Sequence, residues 1–293
     1  MMAAAVVHIE SPVLRGTVDS SGAFLRELKV LLGGQWSDVF QPGKALFVMG
    51  PHVGRVEGGR FPWQGESFDL RHDADPLYAM HGTYRNVDWT WGACSSESAV
   101  LELDSRSLGT RYPSPSSYQA RVSYQVDGDK LIVKSFIRVT GGSSMPFGTG
   151  PHMYALKRPA GTTGAPSLLH HATSWFPMRD DKPLPKGSEE PLPEGRRYSE
   201  LRPWSEDWDH CVGNWGDRVT IAWPELSIEV LDRLGNCPYL QIWNTADKDV
   251  CAVEPQTMVP TKLGDTDDAK RYGCLLLEPG AEFEAEWEFR FKA

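Results

Sequence analysis

Residues 281–293, AEFEAEWEFRFKA, alternate between apolar and polar side chains more regularly than any other segment of the chain. Apolar side chains occupy every second position from Phe283 to Phe291, and charged ones lie between them. Successive side chains of a β-strand point to opposite faces, so this period predicts a strand with one buried and one wet face. Such strands are typical of antiparallel sheets. We interpret the glutamates here as a solvated strand face and not as a catalytic cluster.

The middle of the chain repeats this two-residue period. Residues 100–103, 119–126 and 131–139 each favour a strand, with a turn at Asp127 and Gly128 between the last two. Strands joined in this way form an antiparallel meander.

The N-terminal part and the region before residue 206 are less regular. Residues 14–18 and 23–32 predict an opening hairpin, although residues 24–32 are also compatible with a short helix. Residues 157–205 carry many prolines and charges and predict irregular structure with short strands. Because no helix-period segment is longer than about ten residues, we predict an all-β fold, a large antiparallel β-sandwich.

The chain has 293 residues. Length alone does not decide the number of domains, because all-β sandwiches of about 200–250 residues can form one domain. The irregular region does not have the character of a linker, and no repeat of fixed period is present. We therefore expect a single domain over residues 1–293.

Charge and cysteine usage limit the partners and the compartment. The formal net charge is −9 and no Lys or Arg block is longer than a pair, which argues against nucleic acid as a partner. The five cysteines are widely spaced without a metal-ligand pattern and indicate reduced thiols. No apolar run approaches the roughly 18 residues of a membrane helix. We expect a cytoplasmic protein with no membrane or nucleic-acid partner.

The stretch of residues 239–258, YLQIWNTADKDVCAVEPQTM, contains the strongest candidate for a functional side chain. It begins as an alternating strand, turns, and continues as an apolar run over residues 250–253 that stops at Glu254, Pro255 and Gln256. A carboxylate at the end of a buried strand, followed by proline and an amide, is poorly explained by packing. A Glu before Pro can also be a solvated turn residue, so the local pattern leaves both interpretations open.

Other candidates lie in glycine-rich or aromatic-rich segments. Glycines surround Arg55 and bring the backbone close to a bound group, whereas Arg60 is interpreted as a surface or structural partner. His81 precedes a glycine and is surrounded by aromatic residues. His152 follows two glycines and a proline, and Tyr154 lies on the same side of the strand that begins there. Each local pattern is also compatible with a structural arginine or histidine.

Several stretches, taken in order, resemble the aldose 1-epimerase (galactose mutarotase) family. They are VGRVEGGRF at residues 53–61, MHG at 80–82, MPFGTGPHMY at 145–154, and the DHC and AVEPQT segments. The resemblance runs over nearly the whole chain and implies a galactose mutarotase-like β super-sandwich in a single domain. It also implies an isomerase that acts on a small sugar without a metal or organic cofactor. The residues to which it assigns roles are Glu254 as general base, His152 as general acid, and Arg55, His81 and Asp209 as sugar-binding or charge-positioning groups, with Gln256 as an adjacent candidate.

The chemistry of an aldose 1-epimerase suits these residue types. Opening a hemiacetal ring removes the proton of the anomeric hydroxyl while the ring oxygen is protonated, and closure reverses both steps. An ordinary Glu, with a pKa of about 4.3, is ionised at neutral pH, and a His near about 6.5 needs only a small upward shift to act as acid. We expect Glu254 and His152 to face each other across the sugar.

Two departures from the family pattern bear on the substrate. Gly54 stands where the family often has Asn, which removes an amide that could touch the substrate or brace Arg55. Ala155 follows Tyr154 where an aromatic residue is common, and we expect its small side chain to enlarge the pocket.

Two further hypotheses remain open at this point. The same acid and base could act on a carbonyl compound that is not a sugar, in a biosynthetic condensation or cyclisation. The fold could also serve a non-catalytic carbohydrate-binding protein.

Overall fold

Nearly all of the regular structure is β-strand. The computed structural model describes residues 6–70, 77–179, 183–205, 207–264 and 266–293. The strands, numbered in chain order, are β1 Val6–Glu10, β2 Leu14–Asp19, β3 Phe24–Leu32, β4 Gln35–Asp38, β5 Leu46–Met49, β6 Arg55–Glu57, β7 Arg60–Trp63, β8 Glu66–Asp69, β9 Tyr78–Met80, β10 Thr90–Cys94, β11 Ser98–Asp104, β12 Ser116–Asp127, β13 Lys130–Gly142, β14 Met145–Phe147, β15 Gly150–Met153, β16 Ala155–Leu156, β17 Ser167–His170, β18 Ser174–Phe176, β19 Glu190–Pro191, β20 Arg202–Pro203, β21 Trp208–Gly213, β22 Arg218–Ala222, β23 Ser227–Asp232, β24 Tyr239–Asn244, β25 Val250–Gln256, β26 Leu275–Leu277 and β27 Glu282–Lys292.

The helical elements are short. They are the α-helix α1, Asp267–Arg271, and the 3-10 turns Tyr84–Asn86, Ser105–Ser107, Gly109–Arg111 and Glu194–Arg196. Among the described ranges, none of the helices has the length and apolar character required to cross a bilayer.

The largest sheet has nine strands in the order β10-β11-β12-β13-β27-β23-β22-β17-β20, and its pairings are antiparallel. The C-terminal strand β27 lies between β13 and β23, which confirms the strand predicted from its alternation. Ala285, Trp287 and Phe289 on its inner face have no exposed surface. The regular period therefore reflects an interior strand with one face on the core.

The outer face of β27 departs from the prediction at one position. The alternation predicts a solvated side chain for Glu288, but this residue is only 5% exposed. The guanidinium groups of Arg233 and Arg290 lie against its carboxylate. The expectation is wrong at this residue because long neighbouring side chains cover the sheet surface, and a covered carboxylate requires cationic partners.

The predicted meander and hairpin are both present. Strands β11, β12 and β13 pair in sequence, and Asp127 lies opposite Lys130 at the predicted turn. Residues 24–32 form the strand β3, paired with β2, so the strand alternative is correct and the helical one is wrong. In the 157–205 region the short strands β17 to β20 are separated by irregular segments, as expected.

Two six-stranded sheets complete the sandwich. One has the order β1-β2-β3-β5-β15 with β4 paired to β3, and the other has the order β16-β25-β24-β21-β18-β19. Three two-stranded sheets, β14-β26, β6-β9 and β7-β8, lie beside them. One apolar core joins the three large sheets, since Leu25, Val253 and Phe289 belong to the same buried cluster. The chain passes directly from the first six-stranded sheet to the second, because only Tyr154 separates β15 from β16. The fold is therefore all-β and antiparallel, as predicted.

The shared core can be tested at its central strand. We expect Phe289→Ala to lower the free energy of unfolding by about 3–5 kcal/mol, because the ring is fully buried between sheets. This corresponds to a fall in Tm of roughly 5–8 °C for a protein of this size, measured by calorimetry. Phe283→Ala, on the same strand but partly exposed, is the matched control and should lose less than half as much. Equal losses would contradict the role of Phe289 in the shared core.

Candidate active site

A cavity of about 200 Å³ opens beside β25, where the two six-stranded sheets meet. The structure brings together all of the side chains selected from the sequence. They are Arg55, His81, His152, Asp209, Glu254 and Gln256.

Three neighbouring strands present the polar floor of this cavity. In β21, β24 and β25, Cys211 lies opposite Gln241, and Gln241 lies opposite Glu254. Residues two apart on a strand share a face, which places Asp209 beside Cys211 and Gln256 beside Glu254. Strand alternation thus collects two carboxyl groups and two amides on one surface.

Gln241 is a candidate functional residue that the sequence analysis missed. Its Nε2 donates a hydrogen bond to Oδ1 of Asp209 at 2.9 Å, and Oδ2 of the same carboxylate lies 3.5 Å from Nη1 of Arg55. The available signal was the alternation of its strand, since Leu240 and Ile242 are fully buried on the opposite face. That signal becomes informative only when the neighbouring strands are known.

The ring of His152 is held by aromatic neighbours. His152 lies opposite Phe47 of β5, and the two rings stack with centroids 4.9 Å apart. The Tyr154 ring lies 4.5 Å away, and the His81 ring meets it nearly at right angles, also at 4.5 Å. These contacts fix the plane of the imidazole.

The imidazole of His152 is in direct contact with the carboxyl group of Glu254. Nδ1 lies 3.3 Å from Oε1, without the alignment of a hydrogen bond. Gly150 permits this approach, because a Cβ there would lie 2.8 Å from the Cβ of Gln256 and from the carbonyl oxygen of Pro255. The expectation that the acid and base face each other across the sugar is therefore wrong. They lie side by side because β15 packs closely against β25.

His81 is anchored through its backbone and its ring. Its φ of 61° is left-handed, which is uncommon for a residue other than glycine. The backbone N–H donates to the carbonyl oxygen of Gly54 at 2.7 Å, and ring Nδ1 lies 3.3 Å from Sδ of Met49. These contacts hold the imidazole against that of His152.

The neighbourhood of Arg55 explains one departure from the family pattern. Gly54 has a φ of 50°, and a Cβ there would lie 2.4 Å from the Cβ of Pro260. An Asn side chain therefore has no room at this position. Arg60 pairs instead with Asp69 at 2.9 Å on the surface and does not line the cavity.

The second departure does not affect the cavity. Ala155 is fully buried in β16, where it pairs with Cys251 and with Phe40. Its side chain does not line the cavity. The expectation that Ala155 enlarges the pocket is wrong because the residue lies within the sheet.

Burial controls the protonation of the site. It raises the pKa of Glu254 well above the ordinary value of 4.5, with a further upward effect of Asp209 and a downward effect of Arg55. Burial lowers the pKa of His152 to about 3 and the pKa of His81 well below 6.5. The expected upward shift of His152 is wrong, because desolvation and the nearby arginines disfavour an imidazolium. The neutral forms of the acid and base are therefore favoured.

No group of three His, Cys, Asp or Glu side chains within the described ranges is placed to hold a metal ion. The polar groups at the cavity floor are instead a carboxyl group beside an imidazole, surrounded by hydrogen-bonding side chains. This arrangement is suited to proton transfer to and from a small bound molecule.

A sequence model of the aldose 1-epimerase family matches residues 7–290. The chain belongs to the aldose 1-epimerase family. This confirms the resemblance carried by the segments around Arg55, His81, His152 and Glu254, and it extends the match beyond those segments to nearly the whole sequence.

Similar proteins agree with this assignment. The chain is 25% identical over 282 residues to the uncharacterized protein YphB of Escherichia coli K12, covering 89% of this chain and 92% of that protein. The structure of a galactose mutarotase related enzyme from Lactobacillus acidophilus matches with a TM-score of 0.79 at 20% identity, covering 99% of this chain and 98% of that one. Galactose 1-epimerase from L. acidophilus NCFM matches with a TM-score of 0.74 at 17% identity, covering 98% and 94%. These structures show that the super-sandwich fold is shared.

The raised pKa of Glu254 makes a prediction about stability. Below pH 4.5 the carboxyl group is protonated in both the folded and the unfolded protein. Above pH 4.5 it ionises in the unfolded chain but stays protonated in the folded one, so the free energy of unfolding falls as the pH rises. Glu254→Gln removes this loss. We expect the variant to have a Tm at least about 2 °C above the wild type at pH 8, equivalent to about 1 kcal/mol, and a Tm close to the wild type at pH 4.

The control for this experiment is Glu278→Gln, which changes an exposed carboxylate. In the same calorimetric series, the difference in Tm between this variant and the wild type should be the same at pH 4 and pH 8. A Glu254→Gln variant less stable than the wild type at both pH values would refute the assignment of an unfavourably buried carboxyl group.

Proposed function

We propose that the protein is an aldose 1-epimerase that interconverts the α and β anomers of an aldose, with Glu254 and His152 as its proton-transfer pair. The observation that carries the proposal is the 3.3 Å contact between Nδ1 of His152 and Oε1 of Glu254 on the floor of the cavity. Family membership supports the reaction class. A structural neighbour named galactose 1-epimerase supports a monosaccharide as substrate.

The reaction requires an acid and a base that are close together. The ring oxygen and the anomeric hydroxyl oxygen are both bonded to C1, so the groups that protonate one and deprotonate the other must be neighbours. A side-by-side pair meets this requirement better than two groups on opposite walls. Each such transfer contributes about 10²–10⁴ in rate, and the steps need no group other than these two side chains.

The pair works with one shared proton. Between about pH 3 and the raised pKa of Glu254, the favoured form is a carboxylic acid beside a neutral imidazole. Transfer of the proton to His152 gives the form in which Glu254 is the base and His152 the acid, as the resemblance implies. Both forms contain one proton donor and one proton acceptor, so catalytic activity requires that His152 and Glu254 together hold one proton.

The remaining polar side chains bind sugar hydroxyls in this proposal. Arg55 and Asp209 form a charged pair at the cavity wall, and Gln241 braces the Asp209 carboxylate. His81 is held neutral and offers its imidazole beside that of His152. Gln256 is fully buried, and its Oε1 has no hydrogen-bond partner in the described protein, so it is available to a ligand hydroxyl.

The first test is polarimetry on freshly dissolved α-glucose, α-galactose and their 6-deoxy forms. The protein should accelerate the mutarotation of at least one of them. Glu254→Gln and His152→Gln should each lower kcat by at least about 100-fold, because each removes one proton-transfer group. Arg60→Gln, on the surface outside the cavity, is the control and should retain full activity.

Calorimetric titration with the same sugars separates an enzyme from a binding protein. An enzyme should lose turnover in Glu254→Gln while still binding sugar. Sugar binding without any acceleration by the wild type would indicate a carbohydrate-binding protein. The absence of both binding and acceleration would reject a sugar substrate.

The second test is the pH dependence of kcat/KM, which reports the free enzyme. We expect kcat/KM to fall as the pH rises through the pKa of Glu254, with a midpoint well above 4.5, because the pair then loses its only proton. Asp209→Asn removes a negative charge that helps to raise this pKa, so the midpoint should move to lower pH. Asp127→Asn, at an exposed turn, should not move it. A midpoint that moves upward in Asp209→Asn would contradict the one-proton pair.

A further inference from the structure

The two ends of the cavity are lined by different kinds of side chain. The His152–Glu254 pair lies at one end of the row of polar side chains, and the Arg55–Asp209 pair lies at the other, with Gln241 between them. Trp243 lies opposite Asp209 and His81 follows Met80, so this end has two more side chains with ring nitrogens, and the other side chains on its walls are apolar. Those that line the cavity are Met80, Met178, Pro183, Pro185 and Pro260.

Strand pairing places these apolar residues around the Arg55–Asp209 pair. Met80 lies directly opposite Arg55 in the β6–β9 pair. Phe176 lies opposite Cys211 at the end of the β18–β21 pairing, and Met178 follows two residues later and lines the cavity. Met80 therefore lies beside Arg55, and Met178 lines the same cavity as Asp209.

Prolines extend this apolar surface. Pro185 forms a backbone bridge with Met178. Pro260 packs on Gly54, directly before Arg55, and occupies the space that a side chain at Gly54 would need. The position where related proteins often carry an amide thus presents a pyrrolidine ring.

The wall around Met178 is fixed in place. The backbone N–H of Arg179 donates to the carbonyl oxygen of Leu184 at 2.8 Å. The guanidinium of Arg179 donates to Oε1 of Glu57 at 2.6 Å, and Glu57 lies two residues after Arg55 on β6. These contacts tie the residue next to Met178 to Leu184 and to β6, the strand that carries Arg55.

Both carboxylate oxygens of Asp209 accept a hydrogen bond within the protein, whereas the contact with Arg55 uses one of the five N–H donors of Arg55. Oδ1 of Asp209 accepts from Gln241, and Oδ2 accepts from Arg55. A ligand hydroxyl in contact with the thioethers and prolines would lose its hydrogen bonds to water without gaining one to the protein. An apolar substituent at that point would bury its surface favourably.

We propose that the preferred substrate is an aldose in which the hydroxymethyl group remote from C1 is replaced by an apolar group, a 6-deoxyhexose being the simplest example. This inference rests on the proposed function, because it places C1 at the His152–Glu254 pair. The far end of the ring then reaches the wall formed by Met80, Met178 and Pro260, with the Arg55–Asp209 pair available to the adjacent ring hydroxyls.

The test compares sugars that differ by one oxygen atom. Mutarotation rates are measured by polarimetry for 6-deoxygalactose against galactose and for 6-deoxyglucose against glucose. The inference requires kcat/KM for the 6-deoxy sugar to exceed that of its parent by about tenfold or more in at least one pair, the scale of discrimination that an apolar pocket supplies. Equal rates, or faster turnover of both parents, would overturn the inference and leave the proposed function intact. Failure to accelerate any of the four sugars would overturn both.

Variants at Met178 test whether the wall causes the preference. Met178→Gln adds hydrogen-bonding groups at nearly constant size, so it should reduce the 6-deoxy preference at least about fivefold, mainly by lowering KM for the parent sugar. Met178→Leu keeps the surface apolar and is the matched control, which should retain the preference. The position is partly exposed, so both variants are expected to fold. An unchanged preference in Met178→Gln would overturn the role assigned to this wall.

Discussion

The burial of a carboxyl group beside an imidazole is the interaction on which the rest of this site depends. Every residue of β25 is buried, and Glu254 is only 4% exposed, with the imidazole of His152 against its carboxyl group. Such a group is unfavourable as an anion unless its surroundings compensate. The same burial keeps His152 neutral. Under the proposed function, the pair holds a movable proton close to the reacting atoms, and the stability lost through burial is consistent with selection for reactivity at that position.

The architecture explains why these two groups meet. The chain crosses from one six-stranded sheet to the other at Tyr154, so β15 and β16 lie in different sheets but in immediate succession. β16 pairs with β25, while β15 packs against the same strand through the space left by Gly150. The crossing therefore places His152 in contact with Glu254, although about a hundred residues separate them in the sequence. The cavity is a consequence of the junction between the sheets.

The polar and apolar parts of the cavity come from different kinds of structure. The polar floor is a sheet surface, where alternation fixes which side chains point inward, as for Asp209 and Gln241. The apolar wall is contributed by Met178 and the prolines of irregular segments and by Met80 at the end of a short strand. Under the proposed function, the regular floor carries the proton-transfer pair, and the less regular walls contact the rest of the substrate.

The sequence by itself determined the class of fold and most of the candidate residues. Period-two alternation in β12, β13 and β27 was sufficient to identify strands and their buried faces, because that pattern is a local consequence of backbone geometry. The family motifs were sufficient to select Glu254 and His152. Only the tertiary structure decided that these two groups touch, that Gln241 braces Asp209, that Pro260 fills the space beside Gly54, and that the pKa of His152 falls instead of rising. Each of these depends on the distance between remote segments or on the water that they exclude, and neither quantity is contained in a local pattern of residues.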